Sequence, residues 1–242
     1  PHRVVAWLGL SSARGALTML RRLEGALGDA VESFELVPDS ALALVLEHIP
    51  DTRAPLAGTY PWHALVELRT AHDPGDMRKH CEAVLAKALD DGLIADAALA
   101  ESESQAEAFW KLREVISEAE RADGMAAKHD VSVPVSAMPE FIETAREAVE
   151  ARFAGARVIA FGHLGDGNVH FNVRAPAESD DRAWFAQTGD AVSRFVHDMT
   201  RDAGGSLSAE HGIGQLKLDE FGRLVDPARL ATMRAIKQAL DP

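Results

Sequence analysis

Phe161–Asn172 reads FGHLGDGNVHFN, and the fold is decided by how this stretch is folded. On its left, Arg157–His163 (RVIAFGH) is a short apolar run ending in a histidine. On its right, Val169–Val173 (VHFNV) alternates in character like a strand. Between them Gly165, Asp166, Gly167 and Asn168 are residues that accept positive φ and close tight turns. The stretch predicts a β-hairpin with its turn between His163 and His170. Paired strands lie roughly 5 Å apart, so the two imidazoles can aim into one small volume. Asn172, two residues beyond His170, shares its face of the strand. Two imidazoles and an amide at a rigid turn make half of a metal or catalytic site.

Outward from the hairpin, the second half predicts a strand over Val131, Val133 and Val135. Pro134 sets that strand at an edge or at its end. A helix follows with its stripe on Phe141, Ile142, Ala145, Ala148, Val149 and Phe153. After the hairpin comes a helix through Trp184, Val192, Val196 and Met199, closed by Gly204 and Gly205, and a last strand over Ser206–Glu210. The first half repeats the order. It predicts strands at Arg3–Leu10, Val31–Val37, His63–Thr70 and Leu93–Leu99. Helices fall after the Ser12 cap, over Ser40–Ile49, and along Met77, Cys81, Val84, Leu85 and Leu89 after a turn around Pro74 and Gly75. Glu101–Ala122 predicts one long linking helix, and Pro227–Leu240 a final one.

Each half therefore reads β-α-β-β-α-β, the ferredoxin-like order, with one extra helix in the first. The expected fold class is α+β: two such units share a largely antiparallel sheet, with helices packed on one face and the other face open. The expected divisions are 1–100, a link at 101–128, a second half with the site at 129–214, and a helical segment at 215–242.

Composition narrows the function classes. Hydrophobic residues make up 47% and charged residues 26% of 242, as in ordinary globular proteins. A formal charge of −13 speaks against nucleic acid as a partner of the whole surface. A single cysteine, Cys81, excludes an intrachain disulfide and suggests a reducing compartment, the cytoplasm. No apolar run is long enough for a transmembrane helix. The start on Pro1 rather than Met suggests a piece of a longer protein.

The second chemical motif is Ser206–Gly214, SLSAEHGIG. Neighbouring residues of a regular strand face opposite ways, but Gly212 and Gly214 let the chain turn sharply just beyond Glu210 and His211. With His163 and His170, Glu210 completes a His₂Glu set that leaves a coordination position open, the pattern of a catalytic metal. His211 is then left for proton transfer. Taken singly, each motif also fits an ordinary turn or a solvated pair; it is their combination that points to a site. The glycines at 162, 165 and 167 do not make a dinucleotide fingerprint, because their order is GxxGxG within a hairpin rather than GxGxxG between strand and helix.

FGHLGDGNVHFNV followed by SLSAEHGIG resembles the C-terminal substrate domain of FAD-linked D-2-hydroxyacid dehydrogenases, most of all the D-2-hydroxyglutarate dehydrogenase group within the wider vanillyl-alcohol-oxidase flavoprotein superfamily. The resemblance covers nearly the whole chain. It implies a cap domain whose flavin-binding domain belongs to the same parent chain, and a fragment that does not turn over by itself. It also implies that His163, His170 and Glu210 ligate a divalent metal, usually zinc, and that His211 is the base. The family's substrate-carboxylate arginine falls on Arg113 in FWKLRE. Ser117 stands one helical turn on, where relatives often carry threonine. A family lysine falls on Lys128 in KHDVSVPVS, and the polar hairpin residue matches Asn168, with Asn172 near it. The implied reaction oxidises a D-2-hydroxy acid, of D-2-hydroxyglutarate or D-lactate type, to the 2-oxo acid with FAD as acceptor. The expected partners are that small acid, the flavin domain, an electron acceptor of undetermined kind, and a second copy in a homodimer. Two other classes compete: a ligand-sensing module, which would not need His211, and a metallohydrolase, which would turn over without flavin.

Overall fold

The structure, a computed structural model, describes residues 2–71 and 74–241; the part of the turn expected before Gly75 that falls on 72–73 lies outside the described residues, as do Pro1 and Pro242. The first half runs β1 (His2–Leu10), α1 (Ala13–Leu27), β2 (Val31–Pro38), α2 (Asp39–His48), β3 (Trp62–Thr70), α3 (Pro74–Asp90) and β4 (Asp96–Leu99). A helical link, α4 (Glu103–Glu114) and α5 (Ile116–Asp123), leads to β5 (Ala126–Ser132), α6 (Met138–Arg152), β6 (Arg157–His163), β7 (Asn168–Arg174) and α7 (Asp181–Asp202). The short α8 (Leu218–Leu224) and α9 (Pro227–Leu240) follow.

The seven strands form one sheet in the order β4-β1-β3-β2-β6-β7-β5, antiparallel at every pairing. The halves meet where β2 pairs with β6, through only Glu35↔His163 and Leu36↔Gly162. One further bond there runs from the Leu164 N–H to the Phe34 carbonyl, at 2.9 Å.

Local signals start the elements as expected. The Ser12 hydroxyl accepts from the Gly15 N–H and satisfies one of the orphan donors at the start of α1. Strand parity then sorts side chains between the two faces. Leu8, Leu36, Val66 and Phe171 face α1, α3, α6 and α7 in one core that runs under both halves. This is the expected helical layer. A second layer lies on the opposite face: Val45 of α2, Phe109 of α4 and Ile116 of α5 pack on Trp7, Leu65, Ile159 and Phe161. That core holds no residue of β7 or β5, so the open face is confined to the outer strands of the second half.

Three expected elements differ. The linking helix is two helices, because Val115 adopts φ −86°, ψ 3° and re-aims the chain. This lets α4 follow β1 and β3 while α5 packs on α2. The strand through Val131 ends at Ser132, since Pro134 has no N–H to donate and the Val133 N–H turns aside to the Gly167 carbonyl. The last strand, Ser206–Glu210, is reduced to one bridge between Ser132 and Ser206. The Ser206 hydroxyl donates to the Ser208 carbonyl and bends the chain out of register.

Candidate metal and active site

The hairpin forms as the sequence predicts, with Gly167 at φ +79° in its turn. A side chain at Gly167 would meet the Val133 carbonyl, and one at Gly162 the Asn168 carbonyl. Only glycine lets the backbones approach so closely. Register then lays the polar residues of the face opposite α6 and α7 in rows. His170 stands between Phe161 and Asp130, and Asn172 between Ile159 and Lys128. Beyond β6, His163 stands opposite Glu35.

His163, His170 and Glu210 come together, with one potential ligand atom from each all within 4.8 Å of one another. His163 Nε2 and Glu210 Oε1 are 3.4 Å apart. Ligands held tetrahedrally at 2.0–2.2 Å from an ion sit roughly 3.3–3.6 Å from each other, so a small closure brings the set to coordinating geometry. The donor chemistry also fits a divalent ion of zinc's kind. Burial, aided by the Arg113 guanidinium, pushes the His170 imidazole down to about 4, which leaves it neutral and able to ligate. The hydrogen bond to Glu35 raises His163 above its ordinary range. Nδ1 lies 2.5 Å from a carboxylate oxygen and so carries the proton, which turns Nε2 toward Glu210.

Asp130 orders the Glu210–His211 segment. Its Oδ2 accepts from both backbone N–H groups at 3.0 Å, and the Ala209 N–H reaches its carbonyl. Burial works against its charge, but those two N–H groups outweigh it and hold the carboxyl below its usual range. The same Oδ2 lies 3.5 Å from His211 Nδ1. The backbone bends as expected past His211, with Gly212 and Gly214 at positive φ.

A cavity of about 460 Å³ opens beside this cluster. His170, His211, Asp130, Asn172, Lys128, Ser117 and Lys217 line it. Lys128 is 3.6 Å from Glu120 and also donates to the Ser117 carbonyl, while the Asn172 amide donates to Glu120 at 2.7 Å. Arg113 does not line the cavity. It is buried, with Nε donating to Glu35 at 2.8 Å and the guanidinium stacked 4.8 Å over the Phe161 ring. Asn168 is buried on the strand face of His170, its side-chain amide without a hydrogen-bond partner among the described residues. Such an orphaned amide is what a ligand or ordered water satisfies.

The residues not foreseen from the sequence are Glu35, Asp130, Glu120 and Lys217. Asp130 carried a signal, because it shares a strand face with Lys128 once β5 is placed. Glu35 and Glu120 carried none, because their partners stand in distant elements.

The chain, residues 1–242, matches the family described as FAD linked oxidases, C-terminal domain. It is 35% identical over 216 residues to the mitochondrial D-2-hydroxyglutarate dehydrogenase of Arabidopsis thaliana, covering 89% of this chain and 37% of that protein. To the D-2-hydroxyglutarate dehydrogenase of Xanthomonas citri pv. viticola it is 35% identical over 214 residues, 88% and 44% of the two chains. To the mitochondrial protein of that name from Rattus norvegicus it is 33% identical over 238 residues, 98% and 42%. The chain thus spans less than half the length of these curated relatives. Its fold is similar to that of p-cresol methylhydroxylase with substrate bound, with a TM-score of 0.64 at 12% identity, over 100% of this chain and 51% of that one. It is equally similar to 4-ethylphenol oxidase from Gulosibacter chungangensis, with a TM-score of 0.64 at 12% identity, over 100% and 52%. From its first residue to its last, the chain belongs to the C-terminal domain family of the FAD-linked oxidases.

Proposed function

We propose that this chain is the substrate- and metal-binding part of a flavin-dependent dehydrogenase that oxidises a D-2-hydroxy acid to the 2-oxo acid. The observation that carries the reading is the convergence of His163, His170 and Glu210 beside His211, at the mouth of a cavity lined by Lys128, Ser117 and Asn172. Membership of an FAD-linked family supports FAD as the cofactor, and the relatives named D-2-hydroxyglutarate dehydrogenase support the substrate class. D-Lactate is the smaller alternative. We divide the chain at 1–100, 101–128, 129–214 and 215–242; the first division holds β1 to β4, and the start of the third falls within β5. The cytoplasm remains our assignment of compartment, on the single buried cysteine Cys81. Among the described residues no helix is long and apolar enough to cross a membrane.

A zinc-type ion held by His163, His170 and Glu210 would supply Lewis-acid polarisation of the substrate hydroxyl, and FAD the acceptor for the C2 hydride. The residues of the chain do the rest. His211 turns Nδ1 toward Asp130, so Nε2 is the nitrogen positioned to take the hydroxyl proton. Asp130 stabilises the imidazolium that results and fixes the backbone that presents it. Lys128 offers a point charge to a carboxylate in the cavity. Arg113 has only Nε engaged with Glu35; among the described residues its terminal nitrogens make no hydrogen bond, and they supply a fork for a second carboxylate oxygen pair. Asn172 and Ser117 add neutral polar groups to the same wall.

The test is anaerobic reduction of the flavin in the full-length protein. D-2-Hydroxyglutarate should bleach it and L-2-hydroxyglutarate should not. Metal-dependent hydrolysis without flavin reduction would overturn the reading in favour of a hydrolase.

A further inference from the structure

We propose that Glu35 is a positioning residue that holds the metal ligand His163 and the carboxylate-binding Arg113 in one fixed relation, an inference that rests on the function proposed above. Glu35 is fully buried, and its two oxygens divide the work. Oε1 accepts from His163 Nδ1 at 2.5 Å and from the Ser33 hydroxyl at 2.7 Å, while Oε2 accepts from Arg113 Nε at 2.8 Å. Because it is hydrogen-bonded at both oxygens, the carboxylate cannot turn without breaking one partner or the other.

Its place in the sheet makes this more than a local ion pair. Glu35 stands on β2 directly opposite His163 on β6, in the two-residue pairing that joins the halves. His163 belongs to the second half and Arg113 to the linking helices. Among the described residues of the first half, Glu35 is the one whose side chain bonds both His163 and Arg113. A carboxylate accepts at both oxygens, so it fixes the Nδ1–H tautomer of His163 and leaves Nε2 to ligate. It also occupies the Nε–H of Arg113, so that the terminal nitrogens are left as the donors of the guanidinium. Arg113 is further pinned over the Phe161 ring, and Phe161 stands opposite His170 in the ladder. Glu35, Arg113, Phe161 and the two histidines thus form one packed unit in which the metal end and the substrate-carboxylate end move together.

Glutamine is the informative replacement, because it keeps the shape but has one acceptor and one donor group where Glu35 has two acceptors. It can satisfy His163 Nδ1–H or Arg113 Nε–H, and its amide N–H then opposes the other. In the full-length, FAD-loaded protein, Glu35→Gln should weaken zinc binding about 10–100-fold, the usual effect of removing such a partner, as read by competition with a chromogenic chelator. It should also raise KM for D-2-hydroxyglutarate more than it lowers kcat at saturating zinc, because Arg113 loses its anchor. A purely structural role would lower the melting temperature and leave the zinc dissociation constant unmoved. Glu35→Asp, which keeps both acceptors on a shorter stem, should shift zinc affinity in the same direction by less, and serves if the glutamine variant does not fold. Zinc affinity equal to wild type in a folded Glu35 variant overturns the proposal. His163→Ala, measured in parallel, separates the two levels. If it loses zinc while the Glu35 variants do not, only the role of Glu35 falls. If it also keeps zinc, the metal reading falls and this inference with it.

Discussion

At the scale of single residues, two buried carboxylates show how partners decide a side chain's state. Burial alone would raise both. Glu35 ends below its ordinary range because His163, Arg113 and Ser33 favour its charge, whereas Glu120 ends above it because Lys128, Arg174 and Asn172 offset burial only in part. Among the described residues Oε1 of Glu120 has no hydrogen-bond partner. The neighbours Glu210 and His211 should separate in the same way by role. In the full-length protein Glu210→Ala should lose zinc and activity together. His211→Ala should keep zinc and slow flavin reduction by roughly 10²–10⁴-fold. Metal content measured beside the flavin-reduction rate checks both, and zinc lost from His211→Ala but kept in Glu210→Ala would reverse the assignment. A third residue ties the fold to pH. His129 is buried, bonded to the Phe171 carbonyl and the Ser193 hydroxyl, and burial pushes it down to about 4. Between its unfolded value near 6.5 and that value, the unfolded chain takes up a proton that the folded chain refuses. Stability should therefore fall as pH drops through this window, by roughly 3 kcal/mol at about 1.4 kcal/mol per unit. Urea melts at pH 7 and pH 4.5 of wild type and His129→Gln measure it, with the variant showing the shallower loss.

At the scale of elements, the hairpin was legible because its signals are local: alternation in both arms and glycines between them. The structure adds the reason for Gly162, whose Cα approaches the Asn168 carbonyl too closely for any Cβ. Gly162→Ala should cost roughly 2–4 kcal/mol, the range of backbone clashes that cannot relax, as read from the urea midpoint. The link at 101–122 was legible as helix but not as two helices. Each piece keeps helical periodicity, and only packing on β1 and α2 requires the change of direction at Val115. That break places Arg113 at the end of α4, bonded to Glu35, and Ser117 and Glu120 on α5, where Ser117 lines the cavity and Glu120 holds Asn172 and Lys128. On α5, Glu120→Gln should remove a pH dependence. Wild type loses stability as pH rises from about 4.5 toward the raised carboxyl value, because ionising the buried group is unfavourable. The variant should not lose it, and the difference between the two should grow as pH rises above about 4.5 and then stay constant, as read by thermal melts.

At the scale of the molecule, one sheet joins two halves through a two-residue seam, and the candidate metal ligands all lie on the second half's side of it. Binding an ion there should stabilise the native state by about 2.7 kcal/mol at a hundredfold excess over the dissociation constant. Hydrogen exchange should show where: slowed amides around 163–170 and 208–212, and across the seam at 34–36, with β4 and α3 unchanged. Protection spread evenly over both halves, or none, would place the ion elsewhere.

What the sequence determined by itself was the order of elements outside the link and the last strand, the antiparallel hairpin and the candidate set His163, His170, Glu210 and His211. Periodicity, turn glycines and close spacing act over a few residues, and a chain carries them before it folds. Only the tertiary structure decided which strands are neighbours, and so which face each charged residue occupies and what meets it there. Glu35 reads in sequence like the solvent-facing glutamate of an alternating strand. It is buried because β2 pairs with β6, 128 residues further along the chain, and sets His163 opposite it. The second helical layer, the loss of the last strand to a single bridge and the anchoring of His211 on Asp130 have the same origin. Each depends on which groups stand across a gap, and that is settled by long-range pairing rather than by local preference.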